Sequence, residues 1–181
     1  LSSGTTGKPK RIPLKVTTFE RALLGAAAFE KGRNAEDPPR LRNGVQIVSA
    51  PFAHIAGITG LMNSIMAGRK FCLLEKFTVD TFHDALVRHR PKVAGAPPSA
   101  LRMLFDAKIP REDLSSLVAF RSGTAPLDPN LVDEFLKVYG LPILQNYGAT
   151  EFAGGVAGWT LDDFNQYWKQ KWGAVGRVNE S

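Results

Sequence analysis

The stretch 117-LVAFRSGTAPLDPNLVDEFLKVYGLPILQNYG-148 carries the local signals from which the fold of this chain can be predicted. Residues 117–123 form a mostly apolar run that is typical of a buried strand. A helix follows, with Asp128 as its N-cap, Pro129 at its first helical position and Gly140 as its terminator. Residues 142–148 form a second strand-like run. A strand, a helix and a strand in close succession predict a right-handed crossover between parallel strands.

The same alternation extends along the rest of the chain. Further strands are predicted at 45–50, 70–74 and 92–96, and further helices at 17–32, 57–68, 78–90, 98–107 and 161–171. Thr17 or Thr18 is the expected cap of the first helix and Gly32 its end, while Thr160 opens the last helix. The sequence therefore predicts an α/β fold, with a mostly parallel sheet flanked by helices in one domain.

Composition and charge narrow the class of protein. The 181 residues are 44% hydrophobic and 22% charged, with a formal net charge of +6. The basic residues are scattered and do not interleave with aromatic residues, so we expect no nucleic-acid partner. Cys72 is the only cysteine, which excludes a disulfide within the chain and favours a reducing, cytoplasmic location.

Residues 45–68 form the longest uncharged stretch and are long enough to span a bilayer. The stretch is interrupted by Gln46, Pro51, His54, Asn63 and three glycines. These interruptions favour a strand, a loop and a buried helix, so we expect no transmembrane span.

Four loops follow predicted strands and are therefore expected at one edge of the sheet. They are APFAHIAG (50–57), GAPP (95–98), SGTAPL (122–127) and NYGATE (146–151). Ligands of open α/β sheets bind at this edge, outside the carboxyl ends of the strands.

The opening segment SSGTTGKPK (2–10) combines glycines, hydroxyls and lysines, which can donate hydrogen bonds to an anion. It does not have Walker A spacing, because Ser2 stands five residues before Gly7 and Lys8 is followed by Pro9. A flexible polar terminus is the alternative interpretation of this segment.

Taken in order, these motifs resemble those of the adenylate-forming (AMP-binding) superfamily, which includes acyl-CoA synthetases and the adenylation domains of peptide synthetases. The resemblance is carried by SSGTTGKPK, PFAHIAG, RSGTAPL, QNYGATE and KWGAVGRV. Arg11 departs from the pattern, since the family usually has glycine at that position.

The resemblance implies a role for several groups of residues. Phosphate contacts would come from Ser2, Ser3, Gly4, Thr5, Thr6, Gly7 and Lys10. Adenine contacts would come from Gly123, Thr124, Ala125, Pro126, Asn146, Tyr147 and Gly148. The acyl pocket would be lined by Phe52, His54, Ala149 and Phe152. The catalytic residues would be His54, Thr150 and Glu151, with Glu151 also binding Mg²⁺.

The implied reaction is ATP-dependent activation of a carboxylic acid, which forms an acyl-adenylate and pyrophosphate. Thioester formation with CoA or a carrier phosphopantetheine would follow, with an acyl-carrier domain as a further partner. Residues 1–181 would be part of the large N-terminal AMP-binding domain without the small C-terminal domain, so we expect the chain alone to be inactive.

Arg11 motivates a different hypothesis, a catalytically silent nucleotide-binding or interaction module of the same fold. The small apolar stretch after Glu151 favours an apolar acyl or aryl group, while the acid, the thiol acceptor and the oligomeric state stay open.

Overall fold

The computed structural model describes residues 8, 10–25, 38 and 40–179. Its helices are α1 (Val16–Gly25), α2 (Ile55–Met66), α3 (Val79–His89), α4 (Pro98–Asp106), α5 (Pro129–Tyr139) and α6 (Leu161–Tyr167). Its strands are β1 (Val45–Val48), β2 (Lys70–Leu73), β3 (Val93–Gly95), β4 (Ala119–Ser122), β5 (Ile143–Ala149), β6 (Gly154–Gly158) and β7 (Arg177–Val178). Short 3-10 helices cover Arg111–Leu114 and Thr150–Phe152.

The strands of the described residues form two sheets. β1 and β2 pair in parallel, and a five-stranded sheet has the order β3-β4-β5-β6-β7. β3, β4 and β5 are parallel, whereas β6 and β7 add to the edge in antiparallel orientation. The prediction of a mostly parallel sheet flanked by helices is confirmed.

The segment 117–148 folds as its local signals predict. The Asp128 side chain accepts a hydrogen bond from the backbone N–H of Asn130 at 2.9 Å, and Pro129 begins α5. Gly140 ends the helix at φ +69°, a left-handed conformation that glycine adopts without the steric cost of a Cβ.

Several predicted boundaries were wrong. α1 begins at Val16, so neither Thr17 nor Thr18 is its N-cap, and the predicted end at Gly32 lies outside the described residues. α2 begins at Ile55, two residues earlier than predicted, because the His54 side chain accepts a hydrogen bond from Ala56 N–H. α6 ends at Tyr167, four residues earlier than predicted.

Aromatic packing joins the helices to the five-stranded sheet. The Phe135 ring on α5 lies 5.7 Å from Phe120 on β4 and 5.4 Å from Phe105 on α4, measured between ring centroids. Tyr139 closes this cluster at 5.3 Å from Phe135, and burial raises the pKa of its phenol above the usual 10.0. The same buried core includes residues of β4 and β5, whose carboxyl ends carry two of the candidate loops.

None of the helices in the described ranges combines the length and apolar composition that crossing a membrane would need.

Candidate functional site

The loop after β4 and the end of β5 lie in contact. A Cβ built on Gly123 would lie 2.5 Å from the Asn146 Oδ1 atom, closer than real Cβ atoms approach other heavy atoms. Gly123 therefore permits the approach of Asn146 because it has no side chain. Two segments predicted to contact adenine are brought together in this way.

A second close approach joins β5 to β6. A Cβ on Gly148 would collide with the carbonyl oxygen of Gly154, and one on Gly155 would lie 3.3 Å from Asn146 Nδ2. The register of the two strands shifts between Tyr147 and Gly148, which marks an irregularity of the bulge type. Such irregularities re-aim side chains, and this one lies where the predicted adenine contacts give way to Thr150 and Glu151.

The surface above these contacts is open. Tyr147 is 54% exposed, so its ring presents an accessible aromatic face. Thr124, Ala125 and Pro126 are also exposed. Thr124 has φ +70°, a conformation that a β-branched residue rarely adopts. These four predicted adenine residues are thus exposed, on the loop after β4 and on β5.

Glu151 lies on the 3-10 turn that follows β5. Ala153 closes this turn at φ +59°, where its N–H donates to the Thr150 carbonyl at 3.0 Å. Glu151 is exposed, and no residue in the described part of the chain pairs with its carboxylate. A carboxylate oxygen is a ligand that a hard divalent metal ion prefers.

The described residues contain no group of three or more His, Cys, Asp or Glu side chains that could hold a metal ion. A single carboxylate fits a Mg²⁺ ion that is bound mainly by the phosphates of a nucleotide, a common arrangement for this ion. It does not fit a metal ion whose ligands all come from protein side chains. Glu151 is the residue that would hold the ion.

His54 is the N-cap of α2, and its ring orientation is set by that role. Nδ1 accepts the Ala56 N–H at 3.1 Å, so the neutral ring carries its proton on Nε2. Nε2–H is therefore the donor available to a ligand. α2 contacts β6, where a Cβ on Gly154 would lie 3.9 Å from Thr59 Cγ2. The helix that His54 caps thus lies beside the strand that follows Glu151.

The remaining predicted residues divide into two groups. Phe52, two residues before the His54 cap, is 47% exposed, and Phe152, the last residue of the 3-10 turn, is 46% exposed. The predicted phosphate residues Ser2 to Gly7 lie outside the described residues, and Lys10 is exposed. The phosphate contacts therefore stay a prediction.

Sequence reasoning missed β6 and the residue that supports it. Asn179 Nδ2 donates to the Gly155 carbonyl at 2.9 Å, and its backbone N–H donates to the Val156 carbonyl at 2.9 Å. The run GGVAG (154–158) was the available signal, since consecutive small residues indicate close backbone approach.

An α/β sheet with exposed aromatic, hydroxyl and carboxylate groups at its carboxyl edge defines a candidate nucleotide-binding protein. Residues 1–180 match the family model described as AMP-binding enzyme, and the chain belongs to this family.

Comparison with curated proteins finds CoA ligases. The chain is 33% identical over 183 residues to 4-coumarate–CoA ligase 3 of Arabidopsis thaliana, a match that covers 98% of the chain and 31% of that ligase. It is 29% identical over 154 residues to a long-chain-fatty-acid–CoA ligase of Bacillus subtilis, covering 83% of the chain and 26% of the ligase. The chain spans about a third of the length of the curated relatives it matches.

Solved structures share the fold. O-succinylbenzoate coenzyme A synthetase of Bacillus subtilis, in complex with ATP and magnesium, superposes with a TM-score of 0.79 at 23% identity, covering 99% of this chain and 35% of that one. The inhibitor-bound N-terminal domain of FACL13 from Mycobacterium tuberculosis gives a TM-score of 0.79 at 22% identity, covering 98% and 42%.

Proposed function

We propose that the protein containing this chain activates a carboxylic acid with ATP, forming an acyl-adenylate and pyrophosphate. The observation that carries the proposal is the contact between Gly123 and Asn146 at the strand that carries the exposed Tyr147 ring, with the exposed Glu151 carboxylate on the 3-10 turn that follows this strand. The proposal is supported by membership of the AMP-binding family and by the CoA ligases among the relatives.

In the proposed reaction, a carboxylate oxygen bonds to the α-phosphorus of ATP while the bond from that phosphorus to pyrophosphate breaks. Both reactants are anionic, so the protein must align them and offset their repulsion. Mg²⁺ held by Glu151 would neutralise part of the phosphate charge. The Thr150 hydroxyl would donate to a phosphate oxygen, and His54 Nε2–H would donate to the carboxylate. The Tyr147 ring would stack on the purine.

We also propose a second half-reaction, in which the acyl group passes from the adenylate to a thiol and forms a thioester. Several of the relatives are CoA ligases, so CoA is the thiol that we propose as acceptor, with a carrier phosphopantetheine on an acyl-carrier domain as the alternative. The cytoplasmic location that the lone Cys72 favours is part of the same proposal.

Arg11 supports a second candidate function. This guanidinium follows the predicted phosphate loop where the family usually has glycine, and its bulk next to the triphosphate would hinder catalysis. The chain would then belong to a nucleotide-binding or interaction module that does not catalyse adenylation.

ATP–pyrophosphate exchange separates the two candidates when the protein containing this chain is assayed with fatty, aryl and amino acids. We expect exchange with at least one acid and a loss of roughly 100-fold or more in Glu151→Gln. Glu75→Gln, an exposed carboxylate on the loop after β2, is the matched control and should leave exchange unchanged. A folded protein that binds ATP but shows no exchange with any acid would favour the silent module, and full exchange in Glu151→Gln would exclude the role given to Glu151.

A further inference from the structure

Asp133 on α5 accepts hydrogen bonds from two tryptophans that are distant in sequence. Trp168 Nε1–H donates to Asp133 Oδ1 at 2.8 Å, and Trp172 Nε1–H donates to Asp133 Oδ2 at 2.9 Å. Both carboxylate oxygens are therefore used, and no Lys, Arg or His among the described residues forms an ion pair with them. Each indole has one N–H group, which lies in the plane of its ring. A carboxylate that accepts from both N–H groups therefore fixes the orientation of both indole rings.

The bond to Trp168 holds a buried aromatic cluster, defined here as Trp159, Phe164 and Trp168, whereas Trp172 lies outside this cluster and is 53% exposed. Phe164 stacks on Trp168 with 4.9 Å between ring centroids, and Trp159 meets both rings edge-on at 5.9 and 6.2 Å. All three side chains are buried. Because closely packed rings transmit a displacement to their neighbours, we expect a shift of Trp168 to displace Trp159.

Trp159 connects the aromatic cluster to the candidate site. Its backbone N–H donates to the Gln145 carbonyl at 3.0 Å, one residue before Asn146. Its indole N–H donates to the Ala174 carbonyl at 2.8 Å. Beyond Ala174 the chain passes so close to β6 that a Cβ on Gly176 would collide with the Gly158 carbonyl group.

We propose that Asp133 is a positioning residue for the nucleotide site, an inference that rests on the function proposed above. The Asp133 carboxylate holds the aromatic cluster, and the cluster holds β5 and β6 in the arrangement that places Asn146 beside Gly123 and leaves Tyr147 exposed. Loss of the carboxylate leaves two indole donors without their acceptor and frees the cluster to shift. Nucleotide affinity then falls even though no atom of Asp133 touches the nucleotide.

The test measures the dissociation constant of ATP·Mg by calorimetry in the protein containing this chain. We expect Asp133→Ala to weaken binding about tenfold, Asp133→Asn to weaken it less because one acceptor oxygen remains, and Asp133→Glu to restore most of the affinity. Asp84→Asn removes an exposed helical carboxylate on α3 and should bind ATP·Mg as the wild type does. Melting curves identify any variant that has lost its fold.

A double-mutant cycle distinguishes positioning from a merely structural role. Trp168→Phe with Trp172→Phe replaces each indole by a smaller aromatic ring that has no N–H donor, so adding Asp133→Ala to that pair should cause no further loss of affinity. A further tenfold loss in that background would overturn the proposal. So would an Asp133→Ala protein that melts earlier but binds ATP·Mg with unchanged affinity.

Intrinsic fluorescence separates this inference from the proposed function. All three tryptophans of residues 1–181 lie at 159–172, so the change in emission that Asp133→Ala causes relative to the wild type reports on this segment. A red shift in nucleotide-free Asp133→Ala is expected as the cluster loosens. If wild-type protein binds no ATP·Mg, the proposed function and the positioning role fail together; if wild type binds and Asp133→Ala binds equally well, only the positioning role fails.

Discussion

Thr124 illustrates how a single residue stores strain at the candidate site. Its φ of +70° lies in the left-handed region, where a β-branched side chain crowds the backbone. The residue stands between Gly123, which contacts Asn146, and the Ala125–Pro126 pair, and both neighbours restrict the loop. Strain of this kind persists when surrounding contacts determine the backbone, and it is concentrated at ligand sites.

Substituting Thr124→Gly should therefore stabilise the protein. Relief of the left-handed strain, about 1–2 kcal/mol, exceeds the entropic cost of a new glycine, about 0.5–1 kcal/mol. We expect the free energy of unfolding in urea to rise by roughly 0.5–1 kcal/mol. Ala125→Gly is the matched control: its φ is not positive, so it should lower the same free energy. Equal losses in the two variants would show that Thr124 is not strained.

At the scale of elements, the first turn of α2 is packed against the loop that leads to it. A Cβ on Gly57 would lie 2.6 Å from the Ala50 carbonyl oxygen and closer still to that of Pro51. His54 belongs to this loop and caps the helix. Gly60, one turn later, has room for a side chain, because a Cβ there would lie 3.8 Å from Val48 Cγ1.

The two glycines should respond in opposite directions to alanine. Gly57→Ala forces the loop away from α2 and should lower the free energy of unfolding by about 1–3 kcal/mol. Gly60→Ala gains helix propensity without a clash and should raise it by up to about 1 kcal/mol. Urea unfolding of both variants measures the difference. A neutral Gly57→Ala would mean that the loop carrying His54 is not held against the helix.

The same elements indicate what the sequence could predict. The caps of α5 were predictable because Asp128, Pro129 and Gly140 act on the backbone within a few residues of themselves. β6 and β7 were not, since a strand of small residues and one of two residues owe their existence to distant partners rather than to their own pattern. The separation of β1 and β2 from the other strands was also not foreseen, because strand adjacency is not encoded locally.

The candidate site also contains features that the sequence could predict and features that it could not. The strand pattern predicted four loops at one edge of a single sheet. The contact of Gly123 with Asn146 agrees with this for the loops of β4 and β5, whereas β1, which leads to the His54 loop, pairs with β2 in a separate sheet. The contacts of Asp133 and Asn179 span 24 to 39 residues and join side chains that no local pattern relates. Supporting contacts of this type require the folded coordinates.

For the whole molecule, the net charge of +6 attracts any polyphosphate non-specifically. Measured affinity for ATP could therefore arise from this attraction or from binding at a specific site. The two contributions differ in what they recognise. Scattered surface cations respond to anionic charge and are screened by salt, with a Debye length of about 8 Å at physiological ionic strength. A site built from Tyr147, the Gly123 loop and Glu151 would also require the purine and Mg²⁺.

Thermal unfolding of the protein containing this chain, measured in the presence of ligands, tests this distinction. A ligand at 100 times its dissociation constant stabilises the folded state by about 2.7 kcal/mol, which raises Tm by roughly 5–10 °C for a domain of this size. We expect such a shift with ATP·Mg at 0.15 M NaCl, a smaller one with ATP and a chelator, and none with inorganic tripolyphosphate. In Glu151→Gln, the added effect of Mg²⁺ should disappear, because the carboxylate that would bind the ion is gone. Equal shifts from ATP·Mg and tripolyphosphate would mean that the positive charge of the molecule, and not the edge of the sheet, binds the nucleotide.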